Sequence, residues 1–135
     1  ALLLVGGLAA CSLTTEERDE AAEELYGRTW VVWEVSGKPA ADDVESSLVV
    51  AEDGKVNGNA GCNGYFGSVI LDGSAMSFGN LGATQRLCPE PASNQEARFL
   101  LALDQTRGYR LEEGHLVLLD GAGSTLARLR DGATE

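Results

Sequence analysis

From residue 28 onward the apolar positions fall in short alternating runs separated by turn residues, the pattern of an antiparallel sheet built from hairpins. The runs Thr29–Val35, Ser47–Ala51, Lys55–Asn59, Phe66–Leu71, Ala75–Phe78, Leu81–Arg86, Tyr109–Glu112, His115–Leu119 and Ser124–Leu129 each read as a strand. A loop through Gly37-Lys38-Pro39 joins the first to the second. Asp53-Gly54, Asp72-Gly73, Glu113-Gly114 and Asp120-Gly121 supply the tight reversals, because glycine accepts the positive φ that a two-residue hairpin turn demands. The period changes from two to that of a helix once in this body. Ser93 is placed to cap that helix with Glu96 three positions on, and Ala97, Leu100, Leu101, Ala102 and Leu103 form an apolar stripe that stops before Gly108. Phe99 lies off the narrow stripe and reads as a widening of the core contact. In the first strand Trp30 and Trp33 are three apart and so point to opposite faces. Alternation favours Val31, Trp33 and Val35 inward, yet Trp30 and Val32 are apolar too, so the register stays open.

The segment before this body has a different character. Residues 1–10 are uncharged and apolar, far shorter than the roughly 20 residues of a spanning helix, and read as the remnant of a secretory signal. Leu8-Ala9-Ala10-Cys11 resembles the lipobox of bacterial lipoproteins, which makes Cys11 the expected site of lipidation and the first residue of the mature chain. Two or more acyl chains anchor stably where one is marginal. Residues 11–24 then carry Glu16, Glu17, Asp19, Glu20, Glu23 and Glu24 against Arg18, which reads as an acidic tether; an acidic lure for a basic partner is the rival reading. Thr14 with Glu17 predicts one or two helical turns there. The folded domain is expected over residues 25–131.

The chain has 135 residues, 44% of them hydrophobic, enough for one compact core and no second one. Its net charge of -11 repels phosphate backbones, so nucleic acid is not an expected partner. The single histidine, His115, excludes sites that need two imidazoles, and neither Asp42-Asp43 nor Glu52-Asp53 has the alternating oxygens of a calcium loop. No metal and no cofactor is expected. With Cys11 acylated, Cys62 and Cys88 remain, and in an exported chain such a pair reads as a disulfide. The rival, a metal or redox site, lacks a Cys-x-x-Cys motif. Asn57 to Gly67 is dense in residues that tolerate sharply bent backbone, with Gly58, Gly61, Asn63 and Gly67 as the expected turn positions. Asn63 is expected to bond its own backbone.

The ordered motifs of this body resemble those of the META domain, or HslJ-like, family. Leu25-Tyr26-Gly27-Arg28-Thr29-Trp30 matches the family's opening Leu-x-Gly-x-x-Trp, and Gly58-Asn59-Ala60-Gly61-Cys62-Asn63 its Gly-x-x-Gly-Cys-Asn block. Phe78-Gly79, Thr84 with Cys88, Phe99-Leu100, Ala102-Leu103 and Leu116-Val117-Leu118 follow in the family's order. Arg86 and Leu87 depart from the usual Met and Ala, which puts a site role for that pair in doubt. The resemblance implies an α+β domain: a strongly curved antiparallel sheet of about eight or nine strands, close to a half-open barrel, crossed by one helix. Related pilotin lipoproteins shelter an acyl chain or a partner segment between sheet and helix, an analogy of fold and not of function.

The expected function is that of a non-catalytic, lipid-anchored cell-envelope protein, facing outside the cytoplasm and linked through the family to stress protection. Its expected partners are the membrane, through the lipid, and an apolar small ligand or an envelope protein segment. An alternative is an inhibitor or chaperone-like module that captures a peptide along an open sheet edge. A hydrolase is the weaker reading, since His115 sits on an alternating strand with no nucleophile motif beside it.

Overall fold

A computed structural model of the chain describes residues 22–134. Strands β1 (Trp30–Val35), β2 (Lys38–Pro39), β3 (Ser47–Val50), β4 (Lys55–Asn59), β5 (Gly64–Asp72) and β6 (Ala75–Ala83) precede the helix Ala92–Gln105; β7 (Gly108–Glu112), β8 (His115–Leu119) and β9 (Thr125–Asp131) follow it. The strands form one antiparallel sheet in the order β2-β1-β3-β4-β5-β6-β7-β8-β9, and β1 pairs with β9 as well, so the sheet returns on itself. The ring is not a regular barrel. β6 meets β7 only at Ala75↔Gly108, and β1 meets β3 only at Trp30↔Leu48 and Val31↔Ser47. The architecture is α+β, as the sequence indicates.

Bulges bend the sheet and reset its side-chain phase. Val32 faces Leu129 and Glu34 faces Arg128, which leaves Trp33 as an extra residue in β1. The phase therefore slips within the strand. Trp30, Val32 and Val35 enter the core, whereas Trp33 is 38% exposed, against the inward position that simple alternation favours. A second bulge lies where Phe66 pairs with Gly82 and Ser68 with Gly79, with Asn80 at φ 53. Gly79-Asn80 consequently does not break the chain into two strands: the expected Ala75–Phe78 and Leu81–Arg86 are one strand that ends at Ala83. The loop expected at Gly37-Lys38-Pro39 contains the short β2, because Ser36 and Gly37 both take positive φ (51 and 75) and reverse the chain in two residues.

The helix also departs from its expected start and face. Pro91 occupies the N-cap position and no side chain caps the end, so Ser93 and Glu96 do not form a capping box. The buried positions are Gln95, Phe99, Ala102 and Leu103; Ala97 and Leu101 face water. Phe99 is core, its ring edge-on to Tyr65 at 6.0 Å between centroids. Opposite it lie Leu25, Trp30, Leu48, Met76, Leu116, Leu118 and Leu129, all nearly inaccessible. The Trp30 indole donates to the Leu25 carbonyl at 3.0 Å, which satisfies its buried N–H. Side chains thus fill the space between helix and sheet. Residues 22–25 are helical and Tyr26 bridges Val50. The signal remnant, Cys11 and the Thr14–Glu17 turns lie outside the described residues.

Replacing Phe99 by Ala should cost about 3–5 kcal/mol of folding free energy by urea denaturation. Leu101→Ala on the same helix should stay within about 0.5 kcal/mol. Equal losses would place the helix in the other rotation.

Candidate functional site

The glycine- and cysteine-rich stretch after β4 forms a turn against the start of the helix. Asn59 Oδ1 accepts the Gly61 N–H at 2.8 Å, and the Ala60 N–H donates to the Asn63 carbonyl at 2.8 Å. Gly61 has φ +145, and a Cβ there would come within 3.1 Å of both the Ala92 carbonyl and the Glu96 nitrogen, so the helix can approach only a glycine. Gly58 lies inside β4, where a Cβ would fall 2.1 Å from the Ser47 carbonyl that Tyr65 Oη donates to. Gly67 is in β5, opposite the second bulge.

Asn63, 4% exposed, is the hub of this turn. Its Oδ1 accepts from Thr84 Oγ1 at 3.0 Å and from the Arg86 N–H at 2.6 Å. Its Nδ2 donates to the Arg86 carbonyl at 3.1 Å and to Glu96 Oε2 at 2.8 Å. The expected bond to its own backbone gives way to partners brought from distant segments. Glu96 Oε1 accepts the backbone N–H groups of Cys62 and Asn63 at 3.1 and 2.5 Å. Arg86 Nη2 donates to the Cys62 carbonyl at 2.6 Å. Arg86 therefore belongs to the network, while its neighbour Leu87 is fully exposed. Cys62 and Cys88 are joined as a disulfide with Cα atoms 6.0 Å apart. Glu96 is the residue the sequence pattern misassigned: its spacing from Ser93 fits a helix cap, and only the fold brings it to residues more than thirty positions away.

Burial acts to raise the Glu96 pKa, but hydrogen bonds from Asn63 and Cys62 and the charge of Arg86 outweigh it and hold the carboxyl below its ordinary value. Asp131 is also lowered, by the Ala133 N–H and by Arg28, whose Nη1 lies 2.6 Å from its Oδ2. Tyr65 is raised by desolvation. Among the described residues the hydrogen bonds of Asn63, Glu96 and Arg86 run within this junction, which welds turn, loop and helix together.

The other sequence-singled residues lie elsewhere. His115 is exposed on β8, its ring 6.3 Å from that of Trp33. Asp53 Oδ1 accepts the Lys55 N–H at 3.0 Å in a turn, and Asp42 and Asp43 stand on the loop between β2 and β3. Among the described residues no group of three or more His, Cys, Asp or Glu side chains is placed to hold a metal ion. The loop carrying Asp42 and Asp43 is itself held by a polar residue on the helix that no local pattern singles out. Gln95, fully buried, accepts the Ala41 N–H at 2.7 Å and donates to the Val44 carbonyl at 3.2 Å and to Ser46 Oγ at 2.9 Å.

The family model of the META domain matches residues 23–133. None of the curated proteins matches the chain. Among solved structures, a protein from Burkholderia xenovorans is 23% identical with a TM-score of 0.65, over 97% of this chain and 99% of that one. A second solution structure is 21% identical with a TM-score of 0.66, over 84% and 97%. A DUF4847 family protein from Bacteroides vulgatus is 17% identical with a TM-score of 0.65, over 84% and 98%. These likenesses show the fold.

Because the Glu96 pKa is depressed on folding, its contribution to stability is present above its ordinary value of 4.5 and is lost as the pH falls through the folded value. Glu96→Gln should lower stability by about 1 kcal/mol at pH 7. The gap to the parent chain should narrow in denaturation curves as the pH falls below 4.5 and through the lowered folded value; a constant gap would assign the loss to packing. Removing both cysteines of the disulfide, as Cys62→Ala with Cys88→Ala, should lower stability by about 3 kcal/mol. The parent chain under reductant should show a similar loss.

Proposed function

The chain belongs to the META domain family, and we propose that it is a non-catalytic, lipid-anchored binding module of the cell envelope. The anchor is Cys11, which follows Leu8-Ala9-Ala10, and residues 12–24 hold the domain away from the bilayer on a negatively charged spacer. A disulfide between Cys62 and Cys88 suits a chain that matures outside the reducing cytosol.

The observation that carries the binding reading is the filled interior. Phe99, Ala102 and Leu103 occupy the space between helix and sheet at 0% exposure, against equally buried strand residues. A guest between helix and sheet would have to displace this packing, so recognition of an envelope protein segment on the outer surface is favoured over uptake of an apolar small ligand. Capture along a sheet edge is the second reading: β6 pairs with β7 only at Ala75, so most of its length borders no second strand.

Intact-mass measurement of the mature protein, taken from its native envelope without reductant, should show an N-terminal Cys11 bearing acyl chains. It should also show the deficit of two hydrogens that a disulfide leaves. Cys11→Ser should release the protein from membranes into the soluble fraction. An unmodified Cys11 in membrane-free material would overturn the anchor, and turnover of a hydrolase substrate abolished by His115→Ala would overturn the non-catalytic reading.

A further inference from the structure

The outer face of β1 carries a cleft of about 530 Å³ whose walls differ in kind. Val31 and the partly exposed Trp33 stand on one side, and the loop of residues 40–45 brings Asp42, Asp43 and Glu45 to the other. These three carboxylates are exposed, and no ion pair involves them among the described residues. Arg130 is the one cationic side chain in the lining. A second cleft, of about 540 Å³, shares Val31 and Glu45 and continues toward Gly132.

Two features of the backbone prepare this surface. The bulge in β1 turns Trp33 out of the core, so a large indole stands partly exposed beside the cleft. The loop opposite is clamped from within: Gln95 holds Ala41, Val44 and Ser46, and the Ala40 N–H donates to the Trp33 carbonyl at 3.0 Å. A loop fixed in this way presents its carboxylates without having to be ordered first, which lowers the entropic cost of an encounter.

We infer that this cleft docks a lysine- or arginine-bearing segment of a partner polypeptide, the cation lying on the Trp33 ring and between the carboxylates of the loop. The proposal rests on the reading of the chain as a binding module and names the chemistry of its partner. Indole faces attract cations through the ring quadrupole, and the attraction grows as water is excluded. Charge complementarity selects the occupant: a chain of net charge -11 draws a basic segment toward it and repels nucleic acid and anionic lipid.

The test uses the full chain and two probes, a tetralysine peptide and the same peptide with every lysine acetylated. Trp30 is buried and Trp33 exposed, so quenching of the solvent-exposed fluorescence component reports on the cleft. The expected result is saturable quenching by tetralysine that weakens with salt and is absent with the acetylated peptide. Affinity, followed by backbone amide shifts, should fall about tenfold or more both in Trp33→Leu, which keeps every charge, and in Asp42→Asn with Asp43→Asn and Glu45→Gln, which keeps the indole. Shifts confined to residues 12–24, or an affinity that Trp33→Leu leaves intact, would reduce the binding to diffuse attraction and overturn the proposal. The mass measurement on Cys11 is independent of this outcome, so a lipidated chain that ignores the peptide loses the basic partner and keeps its anchor.

Discussion

The junction through which Glu96 and Asn63 meet is the constraint on which the rest of the domain depends. A ring of antiparallel strands can orient a crossing helix in several ways, since apolar packing alone carries little directional information. Here one carboxylate accepts two backbone N–H groups and an amide from a turn more than thirty residues away, and the same amide reaches the chain just before Cys88. The disulfide and the hydrogen bonds close on the same few residues. The helix start is thereby fixed against the sheet, and its register determines that Phe99 enters the core and Gln95 meets the loop above β1.

Much of this was legible in the residues themselves. Period-two runs and Asp-Gly turns located the strands, since a half-buried pleated surface and a positive-φ reversal each leave a local mark. The cysteine pairing followed from number and compartment, and the order of the motifs gave the family. What local pattern could not give was phase. A bulge adds one residue to a strand without changing its composition, so the outward Trp33 and the continuity of β6 through Asn80 were invisible to alternation. The helix face was misjudged for a related reason: Leu101 and Ala97 are apolar but carry no sign of which side the sheet will take, whereas Gln95 is polar and buried.

Glu96 shows the same limit in the site. Its spacing from Ser93 satisfies a helix-cap rule, but the chain also offers it unpaired N–H groups at a tight turn, and these are stronger claimants for a carboxylate. Arg86, set aside as a departure from family pattern, joins the same cluster through both its backbone and its guanidinium. Asn63, Arg86, Gln95 and Glu96 thus tie distant segments together, whereas Asp42, Asp43 and Glu45 on the β2–β3 loop face solvent.

The pairing of β1 with β9 has a consequence for how the molecule comes into being. Synthesis runs from the amino end, so the first strand must wait, its apolar side uncovered, until the last has left the ribosome. Contacts between the two ends of a chain have the highest sequence separation a domain can contain and slow its folding accordingly. Loss of the final strand would remove Leu126, Ala127 and Leu129 from the interior at a stroke. A nascent chain of this design closes its ring only when the last strand arrives.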